Sequence, residues 1–128
     1  MIESNEDYEY TVENLTNAII ARGMVISNTV NLSDMLDRTS KDLGVEKPIY
    51  QYAKTIEFCS AQLSHKLSQV DPRNLVVCPF AISVYSTYEK PEDVYIAYRN
   101  YELVGDSENL ISEIYKMLKE IVLEATEF

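Results

Sequence analysis

Three side chains in this sequence carry chemistry that a binding or redox site could use: Cys59, His65 and Cys78. A cysteine thiolate is a nucleophile and a soft metal ligand, and an imidazole can bind a metal or carry a proton. The sequence of 128 residues contains one histidine, His65, and two cysteines, Cys59 and Cys78. Two cysteines do not make a disulfide scaffold, so each must be interpreted from its place in the predicted fold.

Cys59 directly precedes Ser60, which can cap a predicted helix that carries Leu63, Leu67 and Val70. A thiol at the start of a helix is stabilised as a thiolate by the helix dipole and by the free backbone N–H groups. This placement predicts a reactive thiol or a soft metal ligand. The alternative is a small buried residue that closes the strand-to-helix turn.

Cys78 lies in the strongest predicted strand, Leu75 to Tyr85, on the same side as Phe80. In a regular strand this is the core side, which predicts a packed core thiol. Pro79 has no N–H to donate, so it predicts an edge strand or a bulge that would turn the Cys78 sulfur towards a cavity. Cys-Pro also occurs in some haem sites, where the thiolate ligates the iron.

His65 faces away from the apolar stripe of its predicted helix, beside a row of small residues. It is interpreted either as a solvated surface histidine or as a metal or haem axial ligand. A joint zinc site with Cys59 and Cys78 has suitable residue types but only three ligands and no Cys-x-x-Cys spacing. A redox pair of the two cysteines requires Cα atoms within about 7 Å.

The elements that must position these residues follow the order α-β-α-β-α-β-β-α. Apolar periodicity and Gly or Pro punctuation predict helices over 12–22, 33–43, 60–70 and 108–125, and strands over 24–30, 50–58, 75–85 and 94–101. A further short strand is predicted at 8–10. The pattern predicts one α+β domain over residues 1–128, a two-layer sandwich of helices on a small mixed sheet of four or five strands.

The side of strand 75–85 that faces away from the predicted core is also largely apolar. It carries Leu75, Val77, Pro79, Ala81, Ser83 and Tyr85, and neighbouring strands add Ala53, Thr55, Ala97 and, at the margin, Arg99. A strand with a wet face normally alternates with charged residues, and this one does not. We therefore expect a subunit interface or a ligand-binding wall, the alternative being that helices cover both faces.

The charge balance argues against two classes of partner. Net charge is −10, with 21 acidic and 11 basic residues, so both nucleic acid and an anionic membrane surface would repel the chain. No apolar run approaches the roughly 20 residues that span a bilayer. The acidic opening segment is unlike a signal peptide, so we expect a cytoplasmic protein, or a periplasmic one if a signal peptide had been removed.

Several segments together resemble a known family. They are Phe58-Cys59-Ser60-Ala61, then 71–80 with Cys78-Pro79-Phe80, then Ile82 and Val84-Tyr85, and Arg22-Gly23-Met24 at the start of a strand. On these residues the chain resembles the domain-of-unknown-function family numbered 302, over residues 12–101. The last helix, 107–125, is not diagnostic.

The sequence departs from the family pattern at both cysteines. Much of the family has Pro before the second Cys and Asn-Pro after the first, whereas here Cys78 precedes Pro79 and Cys59 is followed by Ser60. The chain is similar to a subgroup with its own cysteine segments. The resemblance implies a compact α/β fold and oligomers, and it implies no established reaction.

We therefore expect a non-enzymatic binding module for a small apolar ligand, with haem as one candidate, in a homo-oligomer, most simply a dimer, formed through the apolar sheet face. Its predicted ligand-binding residues are Cys59, His65, Cys78, Phe80, Tyr85 and Tyr98, with Cys78 and His65 as candidate ligands to haem iron or another metal. One alternative is a thiol-based redox or sulfur-handling protein that uses Cys59, with Cys78 as the resolving thiol. Another is a structural or partner-binding domain with no chemistry.

Overall fold

The computed structural model describes residues 2–4, 6–105 and 108–126. The predicted α+β class and helix-on-sheet layering are confirmed. The strands are β1 Ile2–Ser4, β2 Val25–Asn31, β3 Tyr50–Cys59, β4 Phe80–Thr87 and β5 Val94–Tyr98, and the helices are α1 Tyr8–Ala21, α2 Leu32–Thr39, α3 Ala61–Val70 and α4 Glu108–Thr126, with a short 3₁₀ helix at Pro72–Val77.

The sheet has the order β1-β5-β4-β3-β2, and every neighbouring pair is antiparallel. The expectation of a mixed sheet was wrong in this respect, because each connection between paired strands returns the chain in the opposite direction. The first strand closes the sheet against the last one, with Ile2 opposite Ile96 and Ser4 opposite Val94.

Capping side chains explain where the helices begin. Asp7 accepts a hydrogen bond from the backbone N–H of Tyr10 at 2.8 Å, so α1 begins at Tyr8 and residues 8–10 are helical, not the short strand that was predicted. Thr11, which directly precedes the predicted helix 12–22, is buried inside α1, and its hydroxyl shares a hydrogen bond with that of Ser4 of β1 at 2.8 Å. Ser60 caps α3 as predicted, accepting from the N–H of Leu63.

The largest correction concerns the predicted strand from Leu75 to Tyr85. Residues 72–77 form a 3₁₀ helix, which starts at Pro72 and is capped by Asp71 through the N–H of Arg73. The Cys78–Pro79 peptide bond is cis, and β4 begins only at Phe80. Pro79 cannot donate to the ladder, so it lies just outside the strand rather than in a bulge within it.

One side of the sheet is the core. Phe58 and Ile56 of β3 lie opposite Phe80 and Ile82 of β4, and all four are fully buried. The helices α1, α3 and α4 cover them with a set of leucine and isoleucine side chains: Leu15, Ile19, Leu63, Leu67, Ile114, Leu118 and Ile121. This layer fixes the plane and orientation of the sheet, and so it also determines which residues point to the opposite side.

Candidate functional site

The side of the sheet opposite the core is the candidate site, and we call it the open face. Register and alternation place on it Ala53, Thr55 and Glu57 of β3, Ala81, Ser83 and Tyr85 of β4, and Tyr95 and Ala97 of β5. None of these side chains belongs to the hydrophobic core cluster of the described residues. The predicted second face, with small side chains and tyrosines at its rim, is therefore present at β4 and its neighbours.

The centre of the open face is made of small side chains. Thr55 and Ser83 are register partners, and their hydroxyl oxygens lie 2.7 Å apart in a hydrogen bond. Ala53 and Ala81 lie on either side of this pair and expose only 4% of their surface. The centre is thus nearly flat and uncharged, and one of its two hydroxyl groups donates to the other, so this bond uses one of the two O–H donors.

Three tyrosines form a row along one end of the open face. The ring of Tyr85 lies 5.6 Å from that of Tyr50 in an edge-on arrangement and 5.5 Å from that of Tyr95 at a tilt of 32°. Partial burial and the neighbouring Tyr50 and Tyr95 raise the pKa of Tyr85 above its ordinary value. The row is a preformed aromatic wall that keeps part of its surface accessible.

The helix α2 borders the open face on the side of β2. α2 follows β2 directly, and the Ser33 hydroxyl accepts a hydrogen bond from the Ala53 N–H at 3.2 Å. This bond continues the edge of β3 where β2 has ended. α2 contributes no side chain to the hydrophobic core of the described residues, so it lies at the side of the sheet rather than in the layer of α1, α3 and α4.

Both cysteines lie at the far end of the β3–β4 pair. The β3–β4 register ends with Phe58 opposite Phe80, one residue before Cys59 and two residues after Cys78, and Cys78 lies close enough to Cys59 to influence its pKa. Both thiols are free and half-buried. The sulfur of Cys78 lies 3.2 Å from the Ser64 hydroxyl oxygen, which ties it to α3.

The local environment of Cys59 differs from the one predicted. Cys59 is the last residue of β3 and precedes the capping residue Ser60, so it lies outside the first turn of α3. Burial, the neighbouring Cys78 and the carboxylate of Glu57 raise the pKa of the Cys59 thiol above its ordinary value. The thiolate is therefore disfavoured at neutral pH, where the predicted helix-start position would have favoured it.

The six predicted ligand-binding residues are distributed over different surfaces. Phe80 and Tyr98 lie on the core side, Phe80 fully buried and Tyr98 packed against the core. Tyr85 lies on the open face, and His65 is exposed on α3, as its helical position predicted. Cys59 and Cys78 meet at the end of the sheet, so the structure brings together the cysteines but not the whole set.

No metal cluster accompanies these residues. Within residues 2–4, 6–105 and 108–126, no group of three or more His, Cys, Asp or Glu side chains could hold a metal ion. Cys78 and His65 are linked only through α3, where Ser64, the hydrogen-bond partner of Cys78, directly precedes His65.

Sequence reasoning did not nominate Tyr50 and Tyr95 as site residues. In an uninterrupted strand Tyr50 would share its side with Tyr52 and Phe58, but a register shift between Tyr50 and Tyr52 moves Tyr50 to the open face. For Tyr95 the signal was present in the sequence, because it alternates with Ile96 and shares its side with Ala97.

The fold and the open face define a class, two-layer α+β proteins in which helices cover one side of an antiparallel sheet. The chain belongs to the family described as "Domain of unknown function DUF302", which it matches over residues 1–125. The resemblance inferred from the cysteine segments is thereby confirmed. No curated protein is significantly similar to this chain.

A solved structure supports the fold. The chain is similar to the "uncharacterized conserved protein DUF302 from Bacillus stearothermophilus", with a TM-score of 0.69 over 98% of this chain and 93% of that one. The sequence identity is 12%, so this likeness concerns the fold alone. In the described part of the chain, no helix combines the length and apolar character needed to cross a bilayer.

Proposed function

We propose that this protein is a non-enzymatic binding module that forms a homodimer through its open face and binds a small apolar molecule at the tyrosine-lined rim of that face. The observation that carries this proposal is the composition of the open face. It combines a small, uncharged centre around Thr55 and Ser83 with the tyrosine row, and its side chains are not part of the cluster beneath the helices, although Ala53, Thr55 and Ala81 are buried.

A second copy of the chain is the partner that this face fits best. The chain has a net charge of −10, which makes two copies repel each other across most of their surfaces. The Thr55–Ser83 pair and Ala53 carry no charge, and the nearest charged residue on this face is Glu57, directly opposite Ala81. Interfaces are depleted of charge at their centre and enriched in tyrosine, and a two-fold dimer needs one patch that matches itself.

The small side chains determine how closely two copies can approach. Two sheets pack face to face at about 10 Å when the side chains between them are of ordinary size. Ala53, Ala81 and Ala97 have short side chains, so a partner can approach the sheet closely at the centre. Tyr85 and Tyr95 have long side chains that project further from the sheet at one end. A freely rotating tyrosine loses conformational entropy when it becomes fixed at an interface. The tyrosines of this row are already held by ring contacts, so less side-chain entropy is lost when they bind a partner.

Ser83→Arg tests the dimer, because it places a charge at the centre of each face. Like charges brought together at an interface cost several kcal/mol, so we expect the dissociation constant of the dimer to rise at least about 100-fold. Gln69→Arg on the exposed surface of α3 is the control with the same change of charge. Sedimentation velocity across a concentration series, with circular dichroism to verify folding, measures both.

The dimer proposal fails if the unmodified protein remains a monomer at high micromolar concentration. It also fails if a folded Ser83→Arg variant associates as strongly as the Gln69→Arg control.

Haem is a separate candidate ligand, suggested by Cys78 and His65 away from the tyrosine row, because thiolate and imidazole are both axial ligands of haem iron. Titration with haemin tests this version. A shifted Soret band that is altered in Cys78→Ser supports it. A band that does not move on addition of the protein removes haem from the proposal and leaves the dimer unaffected.

A thiol-based redox function is a second candidate, favoured by the proximity of Cys78 to Cys59. The raised pKa of Cys59 predicts that iodoacetamide alkylates it more slowly than free cysteine at pH 7, with a rate that rises through alkaline pH. Peptide mass spectrometry follows each thiol, and Cys59→Ser identifies the Cys78 contribution. Alkylation of Cys59 faster than free cysteine at pH 7 would instead support the redox candidate.

A further inference from the structure

α2 has an apolar side that the core does not use. Its only buried residue is Ser33, and Leu36 remains 43% exposed. The chain that follows α2, residues 40–49, folds back beside it and brings Leu43, Val45 and Ile49 to the same place. These three side chains are 74%, 50% and 68% exposed, so large apolar surfaces of the chain are concentrated here without being buried.

These side chains line a pocket of about 170 Å³ between α2 and segment 40–49. Its apolar walls are Leu36, Leu43, Val45, Pro48, Ile49 and Tyr50. An enclosed apolar cavity of about 150 Å³ lined by similar residues binds benzene. The present pocket has a similar volume but opens to solvent, so it has room for one six-membered ring or one branched aliphatic group that stays partly exposed.

Two charged residues, Asp37 and Lys47, border the pocket. Because their charges are opposite, they do not favour a net charge of either sign on the occupant. Tyr50 forms the wall nearest the sheet, and its ring also contacts Tyr85 at 5.6 Å. The pocket thus adjoins the tyrosine row of the open face.

We infer that this pocket is the binding site for a neutral, single-ring or branched aliphatic molecule. The inference rests on the proposed small-molecule binding, for which it names the site and the ligand class, and it does not depend on the dimer. Binding removes the exposed apolar surface of Leu36, Leu43, Val45 and Ile49 from water, and this burial supplies the affinity.

Toluene is the probe that tests the pocket. Titration followed by methyl NMR is expected to give saturable shifts at Leu36, Leu43, Val45 and Ile49. Leu43→Arg places a long charged side chain at the pocket, and we expect it to weaken toluene binding at least tenfold. Leu75→Arg is the matched control, because Leu75 is 66% exposed on the 3₁₀ helix and does not line the pocket.

The outcomes separate this inference from the dimer. Toluene shifts that stay linear and equally large at Leu75 and Val76 would overturn the pocket, as would equal binding by a folded Leu43→Arg variant. Ser83→Arg is expected to lose the dimer and keep toluene binding, whereas Leu43→Arg is expected to lose toluene binding and keep the dimer.

Discussion

The two sides of the sheet use different kinds of side chain, although they alternate along the same strands. In β4, Phe80, Ile82 and Val84 point to the helices and are fully buried, while Ala81 and Ser83 point to the open face. The core side is built from large apolar groups that fill volume. The open face is built from small groups and tyrosines, which make a surface for contact.

Within β4, the side chains that stabilise the fold and those that could contact other molecules therefore lie on opposite sides of the sheet. Large side chains on the core side determine stability, because each one removes much apolar surface from water. The side chains at the centre of the open face are small, so each removes less apolar surface from water, although Ala53, Thr55 and Ala81 are themselves buried. We therefore look to the open face for the residues that interact with other molecules.

The sharpest test of the comparison substitutes neighbouring residues of β4. Ile82→Ala removes a fully buried side chain and leaves a cavity, which should lower the free energy of unfolding by about 2–5 kcal/mol. Ser83→Ala removes one hydroxyl partner of Thr55 and should cost about 1 kcal/mol. Urea denaturation measures both, and equal losses would contradict the division between the faces.

Alkaline pH provides a second test, through a tyrosine on the core side. Burial, with further contributions from Glu9, Asp34 and Tyr52, raises the pKa of Tyr8 far above its ordinary value. The folded state then holds the Tyr8 proton more tightly than the unfolded state. The resulting stability is fully present below the unfolded pKa of about 10 and is lost as pH rises above it.

The matched variant for this test is Tyr8→Phe, which keeps the ring that stacks on Tyr52 at 5.0 Å but has no ionisable hydroxyl. We expect the unmodified protein to lose more stability than Tyr8→Phe between pH 8 and pH 10.5. Urea denaturation at the two pH values measures the difference. The same loss in both proteins would show that Tyr8 does not couple folding to pH.

The smallest effect is expected at the periphery of the helix layer. Arg22, just after α1, lies 2.7 Å from Glu124 and 3.0 Å from Glu120 of α4. These ion pairs are partly exposed, so Arg22→Ala should cost less than about 1 kcal/mol. The loss should shrink further at 1 M salt, where screening is strong. A larger loss that persists in high salt would show that Arg22 stabilises the core layer by packing.

Much of the fold could be predicted because side-chain periodicity is a local signal. The alternation over Tyr50 to Phe58 predicted β3, and Ser60 with its apolar stripe predicted α3. The same alternation placed Ala81 and Ser83 opposite Ile82, which is why the open face could be anticipated. A period of two assigns sides without any knowledge of what covers them.

The prediction of secondary structure was wrong where a short apolar segment is compatible with both a strand and a helix. Leu75, Val76 and Val77 suit a strand by composition, but Asp71-Pro72 is a helix-start signal that caps the 3₁₀ helix. The boundary at Cys59 was predicted correctly, with Ser60 as the cap, but the reactivity of the thiol was not. Burial, Cys78 and Glu57 raise its pKa, and these contacts come from the tertiary structure, which local sequence does not show.

The pairing of Ile2–Ser4 with the last strand of the sheet has a consequence for synthesis on the ribosome. The segment that is made early has no partner until Val94 and Ile96 have been translated. Closing so long a stretch of chain costs entropy, so this edge of the sheet should be completed late in folding. Until then β5 presents unpaired N–H and C=O groups to any neighbouring nascent chain.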